Sequence, residues 1–206
     1  MGLPSRTQWS PVNIDAENEN GFASSIYQTS FSFFSWGNID AHNPKGSSTF
    51  SPWNWGSSNN GEPYVSSPGA AIIYPNTIPV EMDAARMICG YPWRTPLAEN
   101  FAELLENSDF INENGVIIQG ENKIITMNNV RGIRVRSKIN GGILFFPVTG
   151  RGSGGSWDLK TTGNYMTRVL SSESSGQTLV FDTTRVSPNG GLQRYIGLAI
   201  RPVMYT

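Results

Sequence analysis

The chain has 206 residues and a formal net charge of -1, and charged residues make up only 15% of it. This length predicts a single domain with a sizeable core, and the lack of a basic surplus argues against nucleic acid as a partner. A single cysteine, Cys89, excludes an internal disulfide and any zinc site built from several cysteines.

Membrane and export signals are not evident in the sequence. No apolar run is long enough to span a bilayer, so we expect no membrane insertion. The first residues, MGLPSRTQW, carry no hydrophobic leader, and we expect no signal peptide in this chain. The single histidine, His42, lies in a polar run, which is more typical of a solvated side chain than of a catalytic base.

The amino-terminal part is rich in aromatic and turn-forming residues. Residues 7–14, TQWSPVNI, have the composition of a short strand, and residues 25–36 predict a second extended segment. Residues 38–68 carry Trp53 and Trp55 among many serines, asparagines and glycines, which favours a packed irregular loop over a flexible linker. An exposed patch of these tryptophans is the alternative.

Two helices are predicted in the middle of the chain. Residues 78–89 place apolar side chains at helical spacing, and residues 95–107 do so more strongly. Thr95 and Pro96 suit the start of the second helix, as the N-cap and the first helical residue. Trp93 comes just before this helix, and we expect its ring to pin the helix to a sheet.

Beyond the second helix the sequence is typical of strands and turns. Asn140-Gly141 predicts the turn of a β-hairpin. Residues 149–162 form a glycine-rich loop that precedes no helical pattern, so a phosphate-binding loop is not expected. We expect strands at residues 115–119, 123–127, 132–138, 143–148, 165–171, 178–186 and 196–203.

Short motifs follow one another in a characteristic order along the whole chain. They are Gly2-Leu3-Pro4-Ser5 with Trp9, Phe34-Ser35-Trp36-Gly37, Asp83-Ala84-Ala85, Trp93-Arg94-x-Pro96, Phe146-Pro147 and Gly197-x-x-Ile200-Arg201-Pro202-Val203. In this order they resemble the C-type-lectin-fold domains of Bacteroidetes surface proteins. They also resemble the variable proteins of diversity-generating retroelements, whose fold is related to the formylglycine-generating-enzyme branch of that superfamily.

The resemblance implies one α+β domain over residues 1–206. An antiparallel sheet would pair the amino- and carboxy-terminal strands, two helices would flank it, and long irregular loops would build one exposed face. The chain departs from the family pattern at Leu97 and Asn100, where Thr and Glu are common, and again at residues 164–168, close to the expected binding face.

The resemblance also places a variable-like binding region at about residues 163–203. Because alternate side chains of a strand face opposite ways, Leu179 and Phe181 would hold the core while their neighbours point to a partner. Local core packing or solvated charge is the alternative for each side chain. The expected ligand-contacting residues are Tyr165, Met166, Arg168, Thr178, Val180, Asp182, Ser187, Asn189, Leu192, Gln193 and Tyr195.

The function expected is non-enzymatic binding of a protein or carbohydrate on a target surface, for receptor recognition or adhesion. The protein would be at a cell surface, secreted or on a virion, and its oligomeric state is left open. No catalytic residue, metal ligand or cofactor is expected. An ordinary bacterial adhesin and calcium-independent sugar binding through Trp53, Trp55 or Trp157 are alternatives. An enzyme of the formylglycine-generating type would need a second thiol beside Cys89.

Overall fold

The structure is a computed structural model that describes residues 2–28, 32–39, 41, 77–153, 156–158, 161–172, 175–194 and 196–205. These residues form a mixed α+β arrangement, mostly sheet with two short helices, which confirms the α+β class. The loop predicted over residues 38–68 lies largely outside the described residues, together with His42, Trp53 and Trp55.

The two ends of the chain lie side by side, as predicted. Strand β1, Gln8–Trp9, pairs antiparallel with strand β11, Val203–Met204. Backbone hydrogen bonds extend this contact, since the amide of Ile14 donates to the carbonyl of Ile200 over 3.1 Å. Both strands are shorter than predicted, and Pro11 has no amide hydrogen with which to continue the ladder.

The first predicted helix is split in two. A 3-10 turn, Val80–Met82, is followed by helix α1, Ala84–Cys89. Asp83 lies between them in an extended conformation, and its carboxylate accepts hydrogen bonds from the amides of Ala85 (3.1 Å) and Arg86 (3.4 Å). Asp83 is therefore the N-cap of α1, and the extended backbone it needs separates the two helical segments.

The second helix begins later than predicted. Helix α2 is Ala98–Glu106, and the backbone amide of Leu97 donates to the side-chain oxygen of Asn100 over 2.8 Å. Thr95 is not its N-cap, because its hydroxyl donates to Asp83 over 2.6 Å. The ring of Trp93 packs edge-on against Phe22, with centroids 5.3 Å apart, and its expected contact with a sheet stays a prediction.

A four-stranded antiparallel sheet is built around one long strand. Strand β4, Val130–Ser137, pairs along one edge with β2, Ser108–Phe110, and β3, Ile124–Met127. Its other edge pairs with β5, Ile143–Pro147, through the hairpin predicted at Asn140-Gly141. The strand predicted at residues 115–119 is wrong: this segment contributes an isolated bridge between Ile111 and Ile117.

The second large sheet contains most of the expected binding region. Its order is β8–β9–β10, all antiparallel, with β8 Gly163–Ser172, β9 Ser175–Phe181 and β10 Val186–Gln193. The single strand predicted at residues 178–186 is wrong, because β9 ends at Phe181 and a turn precedes β10. The loop predicted at residues 149–162 contains a small antiparallel hairpin of β6, Arg151–Ser153, and β7, Ser156–Asp158.

The β8–β10 sheet has a different core on each face. Phe101 and Leu104 of α2 pack with Leu179 and Phe181 in the largest apolar cluster. On the opposite face, Met166 packs in a second cluster, whose other members include Phe34, Trp36 and Leu198. This second cluster covers only part of that face, and the uncovered part forms the site described next.

Candidate ligand-binding site

A polar cavity of about 270 Å³ opens on the face of the β8–β10 sheet that is turned away from α2. Strands β8, β9 and β10 form its floor, and the β6–β7 hairpin with the segment after it forms a wall. This volume lies just below the range of about 300–1,000 Å³ typical of small-molecule pockets, so it suits one small polar molecule. The cavity is lined by Arg151, Asp158, Thr161, Thr162, Asn164, Thr178, Val180, Arg185, Gly190, Gly191 and Leu192.

The floor depends on the alternation of side chains along β9. Leu179 and Phe181 are fully buried in the core beneath α2, as expected. Thr178 and Val180 point to the opposite face and line the cavity, but they are only 1% and 9% exposed. The expected outward display of these two side chains is therefore wrong. They can contact a ligand only if it enters the cavity.

A buried hydroxyl group without a partner lies in this floor. The Oγ1 atom of Thr178 is shielded from solvent and makes no hydrogen bond to any described residue. Buried polar atoms are nearly always paired in folded proteins, and one that is not calls for an explanation. Because Thr178 lines the cavity, a bound polar group can supply the missing partner.

Glycine at position 190 keeps the floor open. Gly190 lies opposite Thr178 in the β9–β10 ladder. A methyl group added to its Cα would lie 2.6 Å from Thr178 Oγ1 and 2.9 Å from a methyl carbon of Val180, closer than van der Waals contact allows. A side chain here would occupy the space above the unpaired hydroxyl.

The wall of the cavity contains polar side chains held by short hydrogen bonds. The amide nitrogen of Asn164 donates to Thr162 Oγ1 over 2.7 Å. The hydroxyl of Thr161 donates to the carboxylate of Asp158 over 3.2 Å. The guanidinium of Arg151, by contrast, makes no hydrogen bond or ion pair with any described residue, so all its donors can reach a ligand.

The turn between β9 and β10 forms the rim. Asp182 accepts hydrogen bonds from the Thr184 amide (2.7 Å), the Thr184 hydroxyl (2.6 Å) and the Arg185 amide (3.1 Å). The bonds from Thr184 lower the pKa of Asp182, and Arg185 Nε lies 3.5 Å from its other oxygen. These bonds make Asp182 the cap of the turn, and Arg185, not Asp182, lines the cavity. The expected contact of Asp182 with a ligand stays a prediction.

Two of the expected contact residues are interior residues. Tyr165 is fully buried, and its hydroxyl donates to the carbonyl of Pro147 over 2.9 Å. Burial raises the pKa of Tyr165 to about 12. Met166 is 1% exposed, within the cluster that contains Leu198. Neither side chain can touch a ligand, because both faces of β8 are covered at this point.

The remaining expected residues are divided between the cavity and the surface. Leu192 lines the cavity, and Asn189 and Gln193 are exposed on β10. Ser187 is half-buried on the same strand. The guanidinium of Arg168 lies 5.9 Å from the ring centre of Tyr205, and Arg168 does not line the cavity. Tyr195 and the side chain of Trp157 lie outside the described residues.

Sequence reasoning missed the polar wall of the cavity. The segment expected to be a glycine-rich loop contains Arg151, Asp158, Thr161 and Thr162. Asn164 was not among the expected ligand-contacting residues. Their only signal was a concentration of hydroxyl and charged side chains directly before the expected binding region. The pairing of β6 with β7 brings Arg151 and Asp158 opposite each other, and this register cannot be read from composition.

Cys89 has no feature of a reactive thiol. It is half-buried, and its Sγ–H group donates to the carbonyl of Gly21 over 3.4 Å. Burial, with a smaller contribution from the charge of Asp83, raises its pKa to about 12, so the thiol stays protonated at neutral pH. Within the described residues, no group of three or more His, Cys, Asp and Glu side chains is placed to hold a metal ion.

No family model matches the chain, and neither does any curated protein or solved structure. In the part of the chain that the structure describes, neither α1 nor α2 is long and apolar enough to cross a bilayer.

Proposed function

We propose that this chain is a non-enzymatic ligand-binding domain of the C-type-lectin type, with its binding surface on the β8–β10 sheet and the β6–β7 hairpin. It would act in receptor recognition or adhesion, on a cell surface, on a virion or as a secreted protein. The observation that carries the proposal is the polar cavity, which lies within the segment that the resemblance assigns to binding and contains an unpaired buried hydroxyl at Thr178.

The arrangement of the chain ends supports the fold part of this proposal. A C-type-lectin-like domain brings its first and last strands together, and β1 and β11 pair antiparallel here. Such a closed scaffold fixes both ends of the binding segment, so side chains on its surface can change with little effect on the core. The two flanking helices and the carboxy-terminal sheet agree with the same layout.

The burial of individual side chains limits which positions of a variable protein could be diversified. Tyr165 and Met166 cannot be diversified freely, because their side chains fill the core. The positions open to variation are those of β10, where Asn189 and Gln193 are exposed and Ser187 is half-buried. We propose β10, and not β8, as the main diversified element.

Sequencing the DNA around the gene tests this hypothesis. A diversified gene should be followed by a near-repeat of the codons for residues 163–203, differing at adenines, beside a reverse transcriptase gene. The differences should fall at the codons for Asn189 and Gln193 and spare those for Leu179 and Phe181. Absence of the repeat, or differences spread over the core codons, would leave an ordinary adhesin as the better interpretation.

Calcium-independent carbohydrate binding is the second candidate, because the cavity has the size and polarity of a site for one sugar residue. A glycan array probed with the purified chain, with and without a calcium chelator, tests it. Binding that survives the chelator supports this candidate, and binding abolished by the chelator contradicts it. A thiol-based enzyme is disfavoured by the protonated, half-buried thiol of Cys89.

A further inference from the structure

We propose that the cavity of the β8–β10 sheet binds a single sugar residue that carries a carboxylate, such as a uronic or sialic acid at the end of a glycan. The inference rests on the proposed binding function and names the ligand class of that site. It is carried by three features of the lining: the guanidinium group of Arg151, a buried hydroxyl without a partner among the described residues, and a small apolar patch beside them.

The first feature is the charge of the lining. Arg151 and Arg185 contribute two positive charges, and Asp158 contributes one negative charge. The Asp158 carboxylate accepts from the hydroxyl of Thr161, while the Arg151 guanidinium has no partner among the described residues. A guanidinium presents paired donors that match the two oxygens of a carboxylate, so the cavity favours an acidic group near Arg151.

The second feature is the hydroxyl of Thr178. It is buried at the floor and is without a hydrogen-bond partner among the described residues, an arrangement that is unfavourable in the empty cavity. A sugar carries a hydroxyl group on most of its ring carbons, and one of these can both donate to and accept from Thr178 Oγ1. Thr162 and Asn164 stand beside it with further polar atoms.

The third feature favours a sugar over an acidic amino-acid side chain. Val180 and Leu192 are the two large apolar residues of the lining, and they lie among hydroxyl and amide groups. A sugar ring has a C–H face for such a patch and hydroxyl groups for the polar wall. An aspartate or glutamate side chain ends in one carboxylate, and once that pairs with Arg151 it has no group left for Thr178.

The experiment compares three small probes with the purified full chain by isothermal titration calorimetry and ligand-observed NMR. Glucuronic acid is the acidic sugar, glucose is its neutral match, and propionate, which has the single carboxylate of a glutamate side chain, is an acid without the sugar. We expect glucuronic acid to bind in the millimolar range or better, and at least about tenfold more tightly than glucose, as loss of one charge-assisted hydrogen bond implies. It should also bind more tightly than propionate, which has no hydroxyl group for Thr178.

Two single substitutions separate the cavity from the rest of the surface. Gly190→Ala places a methyl group against Thr178 Oγ1 and should abolish glucuronic acid binding. Thr183→Ala is its control, since Thr183 is exposed in the turn between β9 and β10 and does not line the cavity, and it should bind like the parent. Arg151→Gln removes the charge from the wall and should weaken glucuronic acid binding by about tenfold or more without affecting glucose. Circular dichroism spectra confirm that each variant is folded.

Three results would overturn the inference. The first is that glucose binds as tightly as glucuronic acid, the second is that propionate binds as tightly or more tightly, and the third is that no probe binds at millimolar concentration. Unchanged binding by a folded Gly190→Ala variant would also overturn it, because the ligand would then lie elsewhere. None of these results affects the proposed diversified surface, which is tested by the flanking DNA and depends on the exposed residues of β10.

Discussion

Arg201 and Asn13 are joined by a hydrogen bond of 2.7 Å from Nε to Oδ1, although 188 positions separate them along the chain. Arg201 is fully buried and also donates to the carbonyls of Ser10 and Phe145, and to that of Pro11. Its guanidinium lies 4.7 Å from the centre of the Phe146 ring. One side chain therefore connects the amino-terminal segment, strand β5 and the carboxy-terminal segment.

Replacing Arg201 should severely destabilise the fold. Arg201→Met leaves the side chain of Asn13 and several buried carbonyl groups without their donor, and bonds to a charged donor contribute about 1.5–3 kcal/mol each. We expect a loss of about 3–5 kcal/mol in the free energy of unfolding, measured by urea denaturation. Exposed Arg185→Gln is the control and should change it by less than about 1 kcal/mol. An Arg201→Met variant as stable as the parent would show that these bonds contribute nothing net.

Asp83 should also make a large contribution to the stability of the fold. Its buried carboxylate accepts hydrogen bonds from the amide and hydroxyl of Thr95, in addition to capping α1. Asp83→Ala should lower the free energy of unfolding by about 2–4 kcal/mol, since it leaves buried donors unpaired. Glu81→Ala, at an exposed position in the same segment, should be nearly neutral. Equal denaturation midpoints for the two variants would contradict this role.

Tyr165 should make the protein sensitive to alkaline pH. Its pKa is raised from 10.0 to about 12 by burial, which favours the protonated form in the folded state. The unfolded chain then loses the proton first, so the stability contributed by Tyr165 is complete below pH 10 and falls as the pH rises towards 12. Thermal melts across this range should show a decline that is smaller in Tyr165→Phe. An identical decline in both proteins would assign the effect to other groups.

The same tyrosine shows why local pattern does not identify binding residues. Tyr165 lies in strand β8, and at this point the sheet is covered on both faces, by α2 and by the cluster of Met166 and Leu198. Alternation predicts that neighbouring side chains face opposite ways, and this holds for Leu179 and Thr178. It does not predict which faces are solvent-exposed, because that depends on segments distant in the chain.

Strand β10 shows a second limit of prediction from the local sequence. Its sequence, VSPNGGLQ, contains a proline and two glycines, which are typical of a turn, and all but its first residue lie beyond the strand expected at residues 178–186. Pairing with β9 overrides these preferences, with a shift in register between Ser187 and Gly190. Elements with strong local signals, such as the Asn140-Gly141 hairpin and the amphipathic helix α2, were predictable.

The exposed positions of β10 should tolerate substitution. Asn189→Ala combined with Gln193→Ala should change the free energy of unfolding by less than about 0.5 kcal/mol, because both side chains are exposed. Val180→Asp, at a position that is 9% exposed, should cost several times more, since it places a charge in the floor of the cavity. Comparable thermal shifts for the two proteins would mean that β10 is not a permissive surface.

Removing the hydroxyl of Thr178 should stabilise the fold and weaken ligand binding. Thr178→Val replaces a buried, unpaired hydroxyl by a methyl group of similar shape, so we expect the free energy of unfolding to rise by about 1 kcal/mol while glucuronic acid binding weakens. Thr167→Val is the matched control, because Thr167 is equally buried but its hydroxyl donates to the carbonyl of Gln177 over 2.9 Å. That variant should lose about 1–2 kcal/mol, since it leaves the carbonyl unpaired. If both valine variants are destabilised alike in urea denaturation, the Thr178 hydroxyl already has a hydrogen-bond partner in the free protein and does not need one from a ligand.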